Sequence, residues 1–280
     1  MIAVNIQGGL GNQLFEYAFA YAAASKLRAN FLLDNSKSFI VPKFFRTSKV
    51  DVLVNKIPYL RRLYRKRVQK LRNNNYIDCS DCWQPFPTDL LNGAYYDGYF
   101  QSIECFARYQ GKIRQLYRIR SRYKREFNEK YGELFRSNKT LVVHIRRGDY
   151  LTHGVGKNLG ADDLSLPVGY YNNALKKIKD IARYKILVVG EDVEWAKTQL
   201  AELPHARFVS DSIMVDFQII MNADVVIGSN STFAWWAAYL NNKPNKRIIM
   251  PKYFLGFHVR NEFPNGIYNK TNFEQIEILC

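Results

Sequence analysis

Ile2-Ala-Val-Asn-Ile6, Gln7-Gly-Gly-Leu-Gly11 and Asn12-Gln13 open the chain. The first group reads as a short buried strand and the second as a turn. From about Gln13 to Leu27 the sequence is rich in alanine and aromatic residues and reads as a helix, with Asn12 placed to cap it. Phe31-Leu-Leu-Asp34 reads as the next strand. Strand, glycine-rich turn, helix and strand are the opening of a doubly wound α/β domain.

The same rhythm returns more clearly in the second half. Thr140–Ile145, Lys185–Val189, Arg207–Ser210, Asp224–Gly228 and Arg247–Met250 read as strands. They alternate with helices expected at Pro167–Ile181, Val193–Leu203, Val215–Met221 and up to Leu240 through Trp235. Continuous apolar strands between helices imply a mostly parallel sheet with both faces covered. Residues 36–110 are less regular, with turns at Asn73–Asn75, Pro85 and Pro87, and read as helices and loops inserted in the first domain. A boundary near Ser137 divides the chain into domains 1–137 and 138–280.

The chain has 280 residues, 47% of them hydrophobic, enough for one large domain or two of ordinary size. No run approaches 18 apolar residues, so no spanning helix is expected. The start, MIAVNIQGG, lacks the charged and apolar regions of a secretory signal, and the expected location is the cytoplasm. Cys79, Cys82, Cys105 and Cys280 are too sparse for a disulfide scaffold. Cys79-Ser-Asp-Cys82 has the spacing of half a zinc site, with no second pair to complete it.

The formal charge is +16, which calls for an anionic partner. Seven basic residues lie between Arg61 and Arg72, and seven more between Lys112 and Arg125. In the first run Leu60, Leu63 or Tyr64, Val68 and Leu71 recur at helical spacing. Such a basic amphipathic helix suits an anionic membrane surface or a solvated face equally. No nucleic-acid-binding signature accompanies either run.

Four places carry chemistry. Gly8-Gly-Leu-Gly-Asn-Gln13 is a turn feeding a helix N-terminus, where free backbone N–H groups attract an anion or admit a ligand closely. Gly9 and Gly11 followed by Asp34 also imitate a dinucleotide fingerprint, although Leu14 stands where its third glycine belongs. His144-Ile-Arg-Arg-Gly-Asp149 lies at a strand's carboxyl end, where open α/β sheets bind ligands. Arg146 and Arg147 suit a pyrophosphate, because guanidinium forks match phosphate oxygens. A structural Arg–Asp ion pair competes with that reading, as helix capping by Asp192 competes with a ligand role for Gly190-Glu-Asp192. In Gly228-Ser-Asn-Ser-Thr-Phe-Ala-Trp-Trp236, Ser231 and Thr232 can offer hydroxyl and N–H groups to phosphate, and one tryptophan is expected to point inward. There is no Walker loop, no G-x-S-x-G elbow, no H-E-x-x-H and no Asp-x-Asp. Arginine is left to supply the cationic charge at a leaving group.

Together, Gly8–Phe15, Gly98-Tyr-Phe-Gln-Ser102, His144–Tyr150, Tyr170-Tyr171 with Ala174-Leu175, Ser229–Trp236 and Pro251-Lys-x-Phe254 resemble the bacterial α-1,2-fucosyltransferases. The resemblance implies a GT-B-like α/β fold, two Rossmann-like domains facing a cleft, and inverting transfer of fucose from GDP-fucose without a metal or other cofactor. It implies a glycan acceptor, as in surface polysaccharide or O-antigen synthesis. His144 and Asp192 would hold the nucleoside, and Arg146 the β-phosphate with Ser231 and Thr232. Arg147, Ser229, Asn230 and Phe233 complete the expected donor site. Gly9, Gly11 and Gln13 are expected to bind substrate, with Asn12 at the cleft near the acceptor. Asp149, Glu16 or the donor's own phosphate oxygen is left as the base. The basic surface is then expected to bring the enzyme to lipid-linked glycan at the inner face of the membrane, with no nucleic acid as partner. A dinucleotide-dependent oxidoreductase and a basic membrane- or nucleic-acid-binding protein are the alternatives.

Overall fold

The computed structural model describes residues 1–34, 39–47, 57–84 and 89–278. The turns read at Pro85 and Pro87, and Cys280, lie outside them. The chain splits into two compact units, Met1–Arg120 with Pro264–Lys270 and Ser121–Phe263 with Thr271–Cys280.

In the first unit, β1 (Ile2–Val4) leads into α1 (Leu10–Lys26) and β2 (Phe31–Leu33). After α2 (Val41–Phe44) come α3 (Pro58–Asn74), β3 (Tyr76–Asp78), β4 (Tyr95–Asp97) and α4 (Gln110–Leu116). Among the described residues the strands form one parallel sheet in the order β2-β1-β4-β3. The stretch read as irregular therefore continues the α/β alternation. Strands of three residues ending in aspartate are too short to show a period in sequence. Helix α1 is buried on nearly every side, which explains its alanine and aromatic content. One side meets the sheet, and Phe19 stacks on Phe100 at 3.9 Å.

The basic run lies on α3 as its period predicts, but most of its apolar stripe is not free. Val68 is 4% exposed and joins Ala3, Leu32 and Tyr95, with Tyr64 and Leu71 packed against them. Only the N-terminal end, with Tyr59, Leu60 and Leu63, faces out.

The second unit begins one helix earlier than the boundary read at Ser137. Helix α5 (Ser121–Ser137) buries Phe127, Tyr131 and Phe135. It is tied to α8 (Ile213–Met221) by Gln218 Nε2 donating to the Tyr123 carbonyl at 2.9 Å. Strands β5 (Thr140–Ile145), β6 (Lys185–Gly190), β7 (Arg207–Val209), β8 (Val225–Ile227), β9 (Arg247–Pro251) and β10 (Glu274–Ile276) follow. The last was not read from the sequence. Between them lie α6 (Val168–Lys176), α7 (Val193–Gln199) and α9 (Thr232–Leu240). The described strands pair in parallel in the order β10-β9-β8-β5-β6-β7. The first strand of this sheet is thus central, with β6 on one side and β8 on the other. That is the Rossmann strand order, and its switch point lies between β5 and β8. Both Trp235 and Trp236 are fully buried, where one had been expected inward.

The split along α3 is testable by chemical denaturation. Val68→Ala is expected to destabilise the chain by about 2 kcal/mol, and Leu63→Ala by no more than about 0.5 kcal/mol.

Candidate functional site

Strand register brings the second unit's polar residues together. Val143 pairs with Ile227, so His144, one step on, stands level with the turn that leaves β8. Its Nδ1 lies 2.8 Å from Ser229 Oγ. Ile145 pairs with Gly190, so Arg146 emerges beside Glu191.

The Ser229-Asn230 turn is held from several sides. Tyr170 Oη donates to the Gly228 carbonyl at 2.7 Å, and Tyr150 Oη to the Asn230 carbonyl at 3.1 Å. Asn230 Nδ2 donates to the Leu164 carbonyl at 2.8 Å, while its buried Oδ1 has no hydrogen-bond partner among the described residues. Ser231 is the N-cap of α9 but makes no side-chain cap bond, and Thr232 and Phe233 begin the helix. The Phe233 ring lies 6.0 Å from His144 and edge-on to Phe217.

Arg146 is doubly engaged. Nη1 donates to Glu191 Oε2 at 2.5 Å and Nη2 to Asp149 Oδ1 at 2.6 Å. Arg147 Nε donates to Asp192 Oδ2 at 3.2 Å, and its guanidinium lies 4.4 Å over the Trp195 ring. Asp192 Oδ1 also caps α7 by accepting from Trp195 N–H. Asp192 thus caps the helix and pairs with Arg147 at once. Glu191 Oε1 accepts from Arg147 N–H at 3.1 Å. Gly148 has a φ of +24°, and a Cβ there would lie 2.8 Å from Glu191 Oε1. The arginines read as a phosphate clamp are thus paired with carboxylates in this state.

Burial, with the Arg146 charge adding to it, pushes the His144 imidazole down from 6.5 to about 3. His144 is neutral at physiological pH and serves as a hydrogen-bonding group. Burial pushes the Tyr150 hydroxyl above its ordinary value.

In the first unit, Gly9 rather than Asn12 is the N-cap of α1. The helix starts at Leu10 because the glycine turn closes early: Gly8 has a φ of +68°, and a Cβ there would collide with the Asn12 amide. Asn12 sits inside the first turn, and its Oδ1 accepts from Gln101 Nε2 at 2.9 Å. Gln13 is buried and spends both ends on the scaffold. Nε2 donates to the Gly8 carbonyl at 3.1 Å, and Oε1 accepts from Ile40 N–H at 2.8 Å. Gly11 is buried as well, while Gly8 and Gly9 face out. Glu16 is fully buried, and its Oε2 accepts from Gln7 N–H at 3.0 Å. Burial raises its carboxyl well above 4.5, and its contact with Gln7 braces the glycine turn. Asp34 accepts from Tyr95 Oη at 2.8 Å, so the carboxylate of the dinucleotide reading is already engaged. Among the described residues no group of three or more His, Cys, Asp or Glu side chains gathers as a metal site, and Cys79, Cys82 and Cys105 enter no disulfide.

The family model of glycosyl transferase family 11 matches residues 1–262. The chain belongs to glycosyl transferase family 11. It is 26% identical to the O-antigen biosynthesis glycosyltransferase WbnK of Escherichia coli, across 90% of this chain and 94% of the relative. It is 24% identical to an α-1,2-colitosyltransferase of the same organism, across 86% and 88%. Among solved structures, the fucosyltransferase NodZ from Bradyrhizobium superposes with a TM-score of 0.55 at 14% identity, covering 85% of this chain and 92% of that one. That likeness concerns the fold, and agrees with two Rossmann-like α/β units of the GT-B-like class.

Glu191, Tyr150, Tyr170, Trp195 and Gln101 took no role in the sequence reading. Tyr150, Tyr170 and Gln101 fall inside the motifs that carry the family resemblance, which was the available signal. Glu191 was overshadowed by Asp192, because only the β5–β6 register shows which carboxylate meets Arg146.

Buried His144 and Glu16 act on stability with opposite signs. The folded value of His144 lies below its unfolded one, so its contribution is full above pH 6.5 and is lost as the pH falls toward 3. Glu16 is raised, so its contribution is full below pH 4.5 and is lost as the pH rises. Stability measured from pH 3 to 8 should lose up to about 1.4 kcal/mol per pH unit of its acid limb in His144→Asn. In Glu16→Gln the decline on the alkaline side should shrink.

Proposed function

We propose that this glycosyltransferase moves L-fucose from GDP-fucose to a glycan hydroxyl, with inversion at the anomeric carbon. The observation that carries the proposal is the carboxyl end of β5 at the β5/β8 switch point, where His144 meets Ser229 of the turn after β8 and Arg146 and Arg147 follow directly in the chain. In this reading Arg146 is assigned to the β-phosphate with Ser231 and Thr232 at the helix N-terminus, and His144 and Asp192 to the nucleoside. The structures of NodZ soaked with GDP-fucose and co-crystallised with GDP concern a protein of the same fold.

In this reaction the acceptor oxygen attacks the anomeric carbon on the face opposite GDP. The bond from that carbon to the β-phosphate oxygen breaks, and its electron pair leaves with GDP. Charge grows on the leaving phosphate, where a preorganised arginine stabilises it without a metal. The hydroxyl proton passes to Asp149 or to a donor phosphate oxygen. The exposed Gly8-Gly9 turn and Asn12 are assigned to the acceptor side. The acceptor proposed is a galactoside in surface polysaccharide or O-antigen assembly, in keeping with the names of the relatives.

Calorimetric titration tests the donor. GDP and GDP-fucose are expected to bind equally well with and without EDTA, and Arg146→Ala to weaken both by roughly ten- to hundred-fold. NAD binding without GDP binding would return the oxidoreductase reading. GDP-colitose in the same series separates fucose from the sugar for which one relative is named.

We also propose that the enzyme works at the cytoplasmic face of an anionic membrane through the N-terminal half of α3. Tyr59 is 71% exposed, with Leu60 and Leu63 also outward, beside exposed Arg62, Arg65, Lys66, Arg67 and Lys70. Apolar side chains amid cations suit an anionic interface. Vesicles containing phosphatidylglycerol should retain the protein at low salt. Arg62→Glu with Lys66→Glu should release it while leaving GDP affinity unchanged, and unchanged vesicle binding would defeat the proposal.

A further inference from the structure

Two guanidinium groups, Arg146 and Arg147, face three carboxylates, Asp149, Glu191 and Asp192. A diphosphate that takes the Nη2 edge of Arg146 competes there with Asp149, because like charges would crowd that edge. The two carboxylates on Arg146 are not held alike.

Glu191 is anchored twice. Oε2 accepts from Arg146 Nη1, and Oε1 accepts from the backbone N–H of Arg147. It also fills the space a side chain at position 148 would need. It arrives from β6, a different strand from the arginine it holds, and its side chain is 38% exposed. Asp149 has one bond to Arg146, comes from the short turn that follows the same strand, and is 58% exposed. Breaking its contact costs one hydrogen bond in a solvated place, whereas releasing Glu191 also strips the Arg147 N–H of its acceptor.

We propose that Glu191 is the positioning residue that keeps Arg146 aimed, and that Asp149 is an internal stand-in for phosphate which the donor displaces from Arg146 Nη2. Glu191 then stays on Nη1 while the second edge of the guanidinium turns from carboxylate to phosphate. The inference rests on the diphosphate donor of the proposed function.

The test is titration of the full chain with GDP and with GMP, which lacks the β-phosphate. Asp149→Asn removes the competing anion and is expected to tighten GDP by roughly three- to ten-fold, with GMP unchanged. Glu191→Gln turns an amide N–H₂ toward Arg146 or toward Arg147 N–H, and is expected to weaken GDP by at least about ten-fold, with GMP again unchanged. Glu191→Asp, which keeps the anion, should recover part of that loss. Effects of opposite sign cannot come from general loss of folding, and a purely structural role for Glu191 would weaken GDP and GMP in parallel. Weaker GDP binding in Asp149→Asn, unchanged GDP binding in Glu191→Gln, or parallel loss of GMP binding would overturn the inference alone. Failure of the wild-type chain to bind GDP would overturn the donor reading and this inference with it.

Discussion

A parallel sheet covered by helices on both faces can display polar chemistry only at its strand ends. This constraint governs the second unit. The bodies of β5, β6 and β8 are apolar and buried, and their side chains join one core with Tyr170, Tyr171 and Ala174 of α6. Beyond Ile145, Gly190 and Ile227 the composition changes within a residue or two to arginine, carboxylate and serine. The strand order places β5 centrally, so its carboxyl end collects neighbours from both sides: Ser229 from the β8 side and Glu191 from the β6 side.

Charge at that edge is balanced locally. Arg146 and Arg147 lie at 32% and 19% side-chain exposure, too enclosed to stand without partners. Carboxylates of the same unit supply them, and Trp195 covers the face of Arg147. The guanidinium planes are thereby held by partners within the unit. The same desolvation that makes these pairs necessary keeps His144 neutral, so it contributes hydrogen bonds rather than charge.

The first unit meets a different demand with similar means. Its glycine turn exposes Gly8 and Gly9, and a turn so poor in side chains cannot hold itself. Gln13 and Glu16 brace it from within α1, while Gln101 fixes Asn12 from the loop after β4. The basic helix of this unit shows how packing divides one amphipathic pattern. Val68, Tyr64 and Leu71 serve the sheet, and the turn holding Tyr59, Leu60 and Leu63 is left outward.

The sequence by itself determined the α/β class, the places where strands end in polar turns, and the family. Each is a local property: an apolar run, a glycine at a turn, a motif in order along the chain. Only the tertiary structure decided the partners. The strands β3, β4 and β10 are too short to announce themselves, and the β5–β6 and β5–β8 registers bring together residues 45 and 85 positions apart. Which carboxylate meets Arg146, which glutamine braces the glycine turn and which half of α3 stays exposed follow from register and burial. These are set by the summed packing of the whole unit, and no window of sequence contains that sum.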